Sequence, residues 1–145
     1  MGVQTRTDYE NFPFVLSGEP LVKPAEILLQ DAGRSAALVK HTLMSKVSAS
    51  GKWVPFTDET ATDGSEIPAG IVKAEISAAE LVAGDVDDIP IIVGSDITVD
   101  VNQLVIENSK TLATVISSSG LTVGDELERH GIFVEATRAI DEYEN

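Results

Sequence analysis

From Asp96 to Asn102 the sequence reads DITVDVN, in which Ile97, Val99 and Val101 alternate strictly with Thr98, Asp100 and Asn102. A period of two places the apolar side chains on one face of an extended chain and the polar ones on the other, which specifies a half-buried β-strand. The rest of the chain is cut to the same measure: apolar runs are short, and Gly, Pro, Ser, Asp or Asn interrupts them about every ten residues. A chain of 145 residues buries roughly two thirds of its unfolded surface around one core. The pattern therefore predicts one small, mainly β domain with one or two short helices, and the N-terminal segment, which shows no sustained period, reads as an extended arm or as a further strand.

The expected elements follow the punctuation. AEILLQD (25–31) reads as a short strand and DAGRSAA (31–37) as a loop. Thr42 to Val47 and Lys52 to Phe56 form a hairpin around a four-residue Ser/Gly connection. In its second strand Trp53 and Pro55 share one face, and Pro55, which cannot donate to a ladder, demands an edge or a break. An acidic connection from Thr57 to Pro68 leads to a strand over AGIVKAEI (69–76). Ser77 with Glu80 makes a capping box for one helical turn closed by Gly84, and DVDD (85–88) reads as a polar link. IPIIV (89–93), a Gly94-Ser95 turn and DITVDVN are strand, turn and strand. Leu112, Val115 and Ile116 at helical spacing predict a helix over 109–120, GDELERHG (124–131) a short turn, and IFVEA (132–136) the last strand. The division is an arm over 1–22, a β-rich domain over 23–137 and an acidic tail over 138–145.

Composition argues against most chemistry. The absence of cysteine removes disulfides, thiolate zinc sites and cysteine nucleophiles. His41 and His130 lie in no HxxxH or HExxH arrangement, no G-x-S-x-G occurs, and no Gly-rich phosphate loop or EF-hand spacing is present. No cofactor is implied, and the acidic residues of 57–68 and 85–88 read as solvated loops. The start has no signal-peptide pattern and no apolar run approaches a membrane span. Residues 1–47 carry five basic and five acidic side chains, so the whole net charge of -14 falls on residues 48–145. A body of that sign repels phosphate, which argues against nucleic acid as a partner. Many β-surfaces and few convergent reactive groups favour a binding or structural protein over an enzyme.

The neutral N-terminal segment holds Tyr9, Phe12 and Phe14, three of the seven aromatics, a density unlike that of a disordered tail. It reads either as a strand packed on its own body or as an arm that orders on a partner, with the aromatics as anchors.

The run TLMSKVSASGKWVPFTDETATDGSEIPAGIV (42–72) adds a resemblance. Its apolar strand, small-residue turn, Lys52-Trp53-Val54, Thr62-Asp63-Gly64 and Ala69-Gly70-Ile71-Val72 stand in the order seen in the lambda-type phage head decoration proteins, the family of lambda capsid protein D. The likeness continues more weakly through 89–106 and in 131–136. His41 stands where many members carry Gly, and the 109–130 region is longer than in the shortest members. The resemblance implies a β-clip-like fold and a homotrimer on the outer surface of the icosahedral head, assembled in the host cytoplasm. There it bridges major capsid protein subunits at local threefold sites and stabilises the shell against packaged DNA. It further implies an N-terminal segment that adds a strand to the capsid, which makes Tyr9, Phe12, Phe14 and Val15 the expected capsid-binding residues. Trp53 and Pro55 become packing or trimer-interface residues. The alternative is a virion or cell-surface carbohydrate-binding or adhesin module, which requires an exposed aromatic platform, with Trp53 as its candidate.

Overall fold

The structure, a computed structural model, describes residues 13–136. Along the chain run β1 (Val15–Ser17), β2 (Leu21–Leu28), β3 (Leu43–Lys46), β4 (Trp53–Pro55), β5 (Pro68–Val72), α1 (Ala78–Ala83), β6 (Val86–Val93), β7 (Ile97–Asp100), α2 (Val123–Arg129) and β8 (Ile132–Glu135). The fold is mainly β, as the short alternating runs require. Five strands close a barrel in the order β2-β4-β3-β5-β6, and the other three form a sheet in the order β1-β7-β8.

β3, β5 and the second half of β6 are buried on both faces, which is why AGIV and IPIIV read as continuous apolar runs, whereas β2 is largely exposed. Leu43, Ile71 and Ile92 are consecutive cross-strand partners. They point to one core, shared with Phe56, with Ile97, Val99 and Ile132 of the three-stranded sheet, and with Val123 and Leu127 of α2. The alternate positions Met44, Val72 and Ile91 belong to a second core with Leu28, Trp53, Ile89 and Leu81. A one-residue slip in any of these strands exchanges the two cores, so register is tightly specified.

The β3–β4 hairpin has the expected pairing, Met44↔Pro55 and Lys46↔Trp53. Phe56 N–H donates to Leu43 O at 3.0 Å, so the donor that Pro55 lacks faces the β2 side. There β2 and β4 pair only at Leu28↔Trp53, and no ladder bond is lost. Ser77 caps α1, its Oγ accepting from Glu80 N–H at 3.2 Å.

Three expectations are corrected. Residues 85–88 are not a free link: Val86 to Asp88 begin β6, and Val86 pairs with Leu28. The polar sequence is tolerated because a bulge opposite Glu26 to Leu28 turns Asp88 to φ 59, a conformation open to Asp. No helix forms over 109–120. Thr111 Oγ1 accepts from Ala113 N–H, Ser119 Oγ accepts from Leu121 N–H, and Val115 bridges Thr122 in a tight reversal. A run of β-branched residues and serines loses rotamer freedom in a helix and offers the backbone these local bonds instead. The helix lies one segment later, in α2, where Thr122 Oγ1 accepts from Asp125 N–H and Asp125, Glu126 and Arg129 suit the helix dipole. Finally, the arm boundary at 22 falls inside β2. Phe14 is already core and β1 pairs with β7, so the packed body takes in residues 14–22. Residues 1–12 and the proposed tail at 138–145 lie outside the described residues.

Candidate binding surface

The 42–72 run spends its distinctive residues on folding. Trp53 is 2% exposed. Its indole N–H donates to Glu26 Oε1 at 2.9 Å, and Lys46 Nζ lies 5.6 Å from the ring centroid. A buried indole needs such an acceptor. Gly70 provides room for the ring: a Cβ there would stand 2.9 Å from Trp53 Cζ3 and 2.7 Å from Ile91 Cγ2. Trp53 is thus a packing residue of the chain's own barrel. Pro55 is half-buried and lines a cleft of about 280 Å³ with Leu29, Met44, Val47, Trp53 and Leu81.

The acidic connection after it is tied down at both ends. Asp58 Oδ1 accepts from the Thr60 N–H and hydroxyl at 2.9 and 2.6 Å, and Asp63 Oδ1 accepts from the Ser65 N–H and hydroxyl at 3.0 and 2.5 Å. These bonds hold both carboxyls below the ordinary range, so neither serves as a proton donor near neutrality. Glu59 is likewise lowered by its ion pair with Lys110. Glu66, 7% exposed, accepts from Gly64 N–H at 2.8 Å and from Ser118 Oγ at 3.1 Å. With Asn108 Nδ2 donating to Thr57 O and Ser117 N–H to Glu59 O, the connection is stapled to residues 108–118. The expected solvated loop is a fixed pad.

At the entry to the body, Asp100 N–H donates to Phe14 O and Gln103 Nε2 to Pro13 O. Phe14 is 8% exposed and its ring stacks on His41, with centroids 3.9 Å apart and planes 7° from parallel. His41 has φ 72, the left-handed region that favours glycine. Burial, then the Lys40 charge, push its pKa below the usual imidazole value, so the stacked ring is neutral at pH 7. Phe14 is therefore withdrawn from the set of capsid anchors, because its ring is used inside its own chain. Val15 is half-buried in β1. Tyr9 and Phe12 lie outside the described residues.

Among the described residues no three His, Asp or Glu side chains come together as metal ligands; the His41 ring stacks on Phe14 and His130 Nδ1 lies 2.9 Å from Glu126 O. Exposed large apolar side chains include Leu21 at 55% and Ile27 at 38% on β2, Leu29 at 37% just after it and Val82 at 38% on α1, with Val39, Val115 and Phe133 exposed elsewhere. Gln30 Nε2 donates to Val82 O, joining the end of β2 to α1. Sequence reasoning passed over this surface, although LVKPAEILL does carry apolar residues at both parities. Comparison of the sequence with protein-family models gives no match, and comparison with curated proteins gives none either.

Proposed function

We propose that the chain is a phage capsid decoration protein, a homotrimer that binds the outside of the mature head at local threefold sites and opposes separation of the major capsid subunits. The observation that carries this reading is how the surface is divided. Asp58, Asp63 and Glu66 of the acidic connection are bound in turns and staples, His41 stacks on Phe14, His130 bonds Glu126 O, and apolar side chains at Leu21, Ile27, Leu29 and Val82 stand exposed, suited to association. The ordered motif set of 42–72 supports it, because each motif has a fixed place in β3, β4, β5 or the pad. A sugar-binding module has lost its platform, since Trp53 is inside the barrel.

The test is the mass of the purified protein in solution followed by co-sedimentation with expanded, undecorated heads. A trimer that adds at a ratio set by the lattice is expected; a monomer that ignores such heads refutes the reading. Removing residues 1–12, which spares β1, is expected to weaken head binding and leave the trimer intact.

A further inference from the structure

The two sheets treat their open edges differently. Beyond Leu28, the outer side of β2 carries Lys23, Pro24 and two register shifts, the devices that discourage a further strand. β8 lacks all of these protections: Ile132–Glu135 reads IFVE, without Pro, Lys or bulge, in unbroken register with β7. Ile97 N–H donates to Gly131 O at 2.9 Å and Val101 N–H to Glu135 O at 2.8 Å. In a parallel ladder alternate residues bond alternate sides, so Phe133 and Glu135 face β7 while the N–H and C=O of Ile132 and Val134 point away from it. Among the described residues no strand lies there.

Over the β7–β8 face that ends at that edge lies a groove of about 540 Å³, lined by Thr98, Leu112, Gly124, Glu128, Phe133, Val134 and Glu135. Phe133 is 40% exposed. Glu128 and Glu135 enter no ion pair among the described residues, and no basic side chain lines the groove.

We infer that β8 is a docking edge for an extended segment of another protein that alternates apolar and basic residues. Main-chain bonds to Ile132 and Val134 extend the β1-β7-β8 sheet, apolar side chains cover Phe133 and Leu112, and basic ones meet Glu128 and Glu135. Charge complementarity selects this occupant over a second copy, whose residues 48–145 carry the same strong negative charge. The inference does not depend on the capsid reading.

The probe is a fluorescein-labelled peptide KVTVKVTVK, titrated with the full 145-residue chain and followed by fluorescence anisotropy at low and physiological salt. Saturable binding that weakens with salt is expected. Val134→Pro deletes an outward N–H without touching the β7 ladder and is expected to weaken binding at least tenfold, with circular dichroism checking the fold. The surface double change E128K/E135K is expected to lose this peptide and to take up EVTVEVTVE instead, which keeps the test independent of the proline variant. Absence of wild-type binding, or binding unchanged in both variants, overturns the inference. So does binding that appears only after residues 137–145 are removed, which assigns the edge to the chain's own end. A dimer dissociated by Val134→Pro overturns it as well, in favour of self-pairing.

Discussion

Gly70→Ala tests whether the indole of Trp53 sets the packing of the barrel. The added Cβ would lie 2.7 Å from Ile91 Cγ2, 2.9 Å from Trp53 Cζ3 and 3.0 Å from Ile92 O, against an optimum near 3.5–4.0 Å for carbon pairs. Ile91 is fully buried and Trp53 nearly so, and the third neighbour is backbone, so the crowding has no cheap relief. Overpacking of this kind costs about 1–3 kcal/mol, and the backbone neighbour places Gly70→Ala toward the upper end. For a domain of this size that is a fall in Tm of roughly 3–10 °C. Part of the cost belongs to the indole alone. In a Trp53→Phe background the ring is smaller, and the cost of Gly70→Ala is expected to fall by about 1 kcal/mol, a coupling typical of residues in contact. Urea denaturation of the four proteins followed by far-UV circular dichroism measures the cycle. A cost below about 0.5 kcal/mol for Gly70→Ala, or the same cost in both backgrounds, refutes the packing argument.

At His41 the order of variants is the informative quantity. His41→Ala keeps the positive φ and loses the stack on Phe14, a loss of about 1–2 kcal/mol, whereas His41→Gly relieves the backbone and is expected within about 1 kcal/mol of wild type; an alanine variant as stable as the glycine one contradicts this. Because the folded pKa of His41 is lowered below 6.5, its contribution is complete above pH 6.5 and declines as pH falls toward the folded value. Thermal melts between pH 7 and 5 are therefore expected to show a loss that His41→Gly abolishes. Glu66→Ala strands Gly64 N–H and Ser118 and costs about 1–3 kcal/mol, while Glu66→Gln keeps an acceptor for one and a donor for the other and costs under about 1 kcal/mol by the same denaturation assay. Gly94→Ala drives a Cβ to 1.4 Å from His130 O; with backbone on both sides of the clash, refolding yield and near-UV dichroism are expected to collapse. Asp58 and Asp63, lowered from 3.8 by their turn bonds, contribute stability that is present above pH 3.8 and lost as pH falls through their folded values. Asp58→Asn and Asp63→Asn are expected to flatten the acid limb of the melting curve.

What could be read from the sequence was local chemistry. The strand within 96–102, the Ser77 cap and the Pro55 break each depend on a few neighbouring residues and each appears in the structure, although β7 stops at Asp100, which is buried rather than solvent-facing, and Val101 and Asn102 form a turn. What could not be read depends on partners far along the chain. Asp87 and Asp88 look like a loop until β2 lies beside them, and Phe14 looks like a free anchor until His41, 27 residues later, is brought under its ring. The expected helix at 109–120 failed for a different reason: its three apolar positions matched the period, but the intervening residues were Thr and Ser, and local side-chain bonds outweighed a weak stripe.

Gly94 shows the limit of punctuation as evidence. Its place before Ser95 suggests a turn, and a turn occurs there, yet its φ is not among the positive ones. The residue is small because the α2–β8 connection crosses it, with His130 O where a side chain would begin. The crossing fixes how the three-stranded sheet sits on the barrel, and thereby where β8 presents its open edge. Tethering of that kind follows from close approach between segments 36 residues apart, which no turn propensity encodes. Gly70 under the indole and Gly94 under the crossing act alike, each admitting a close approach that any Cβ would block.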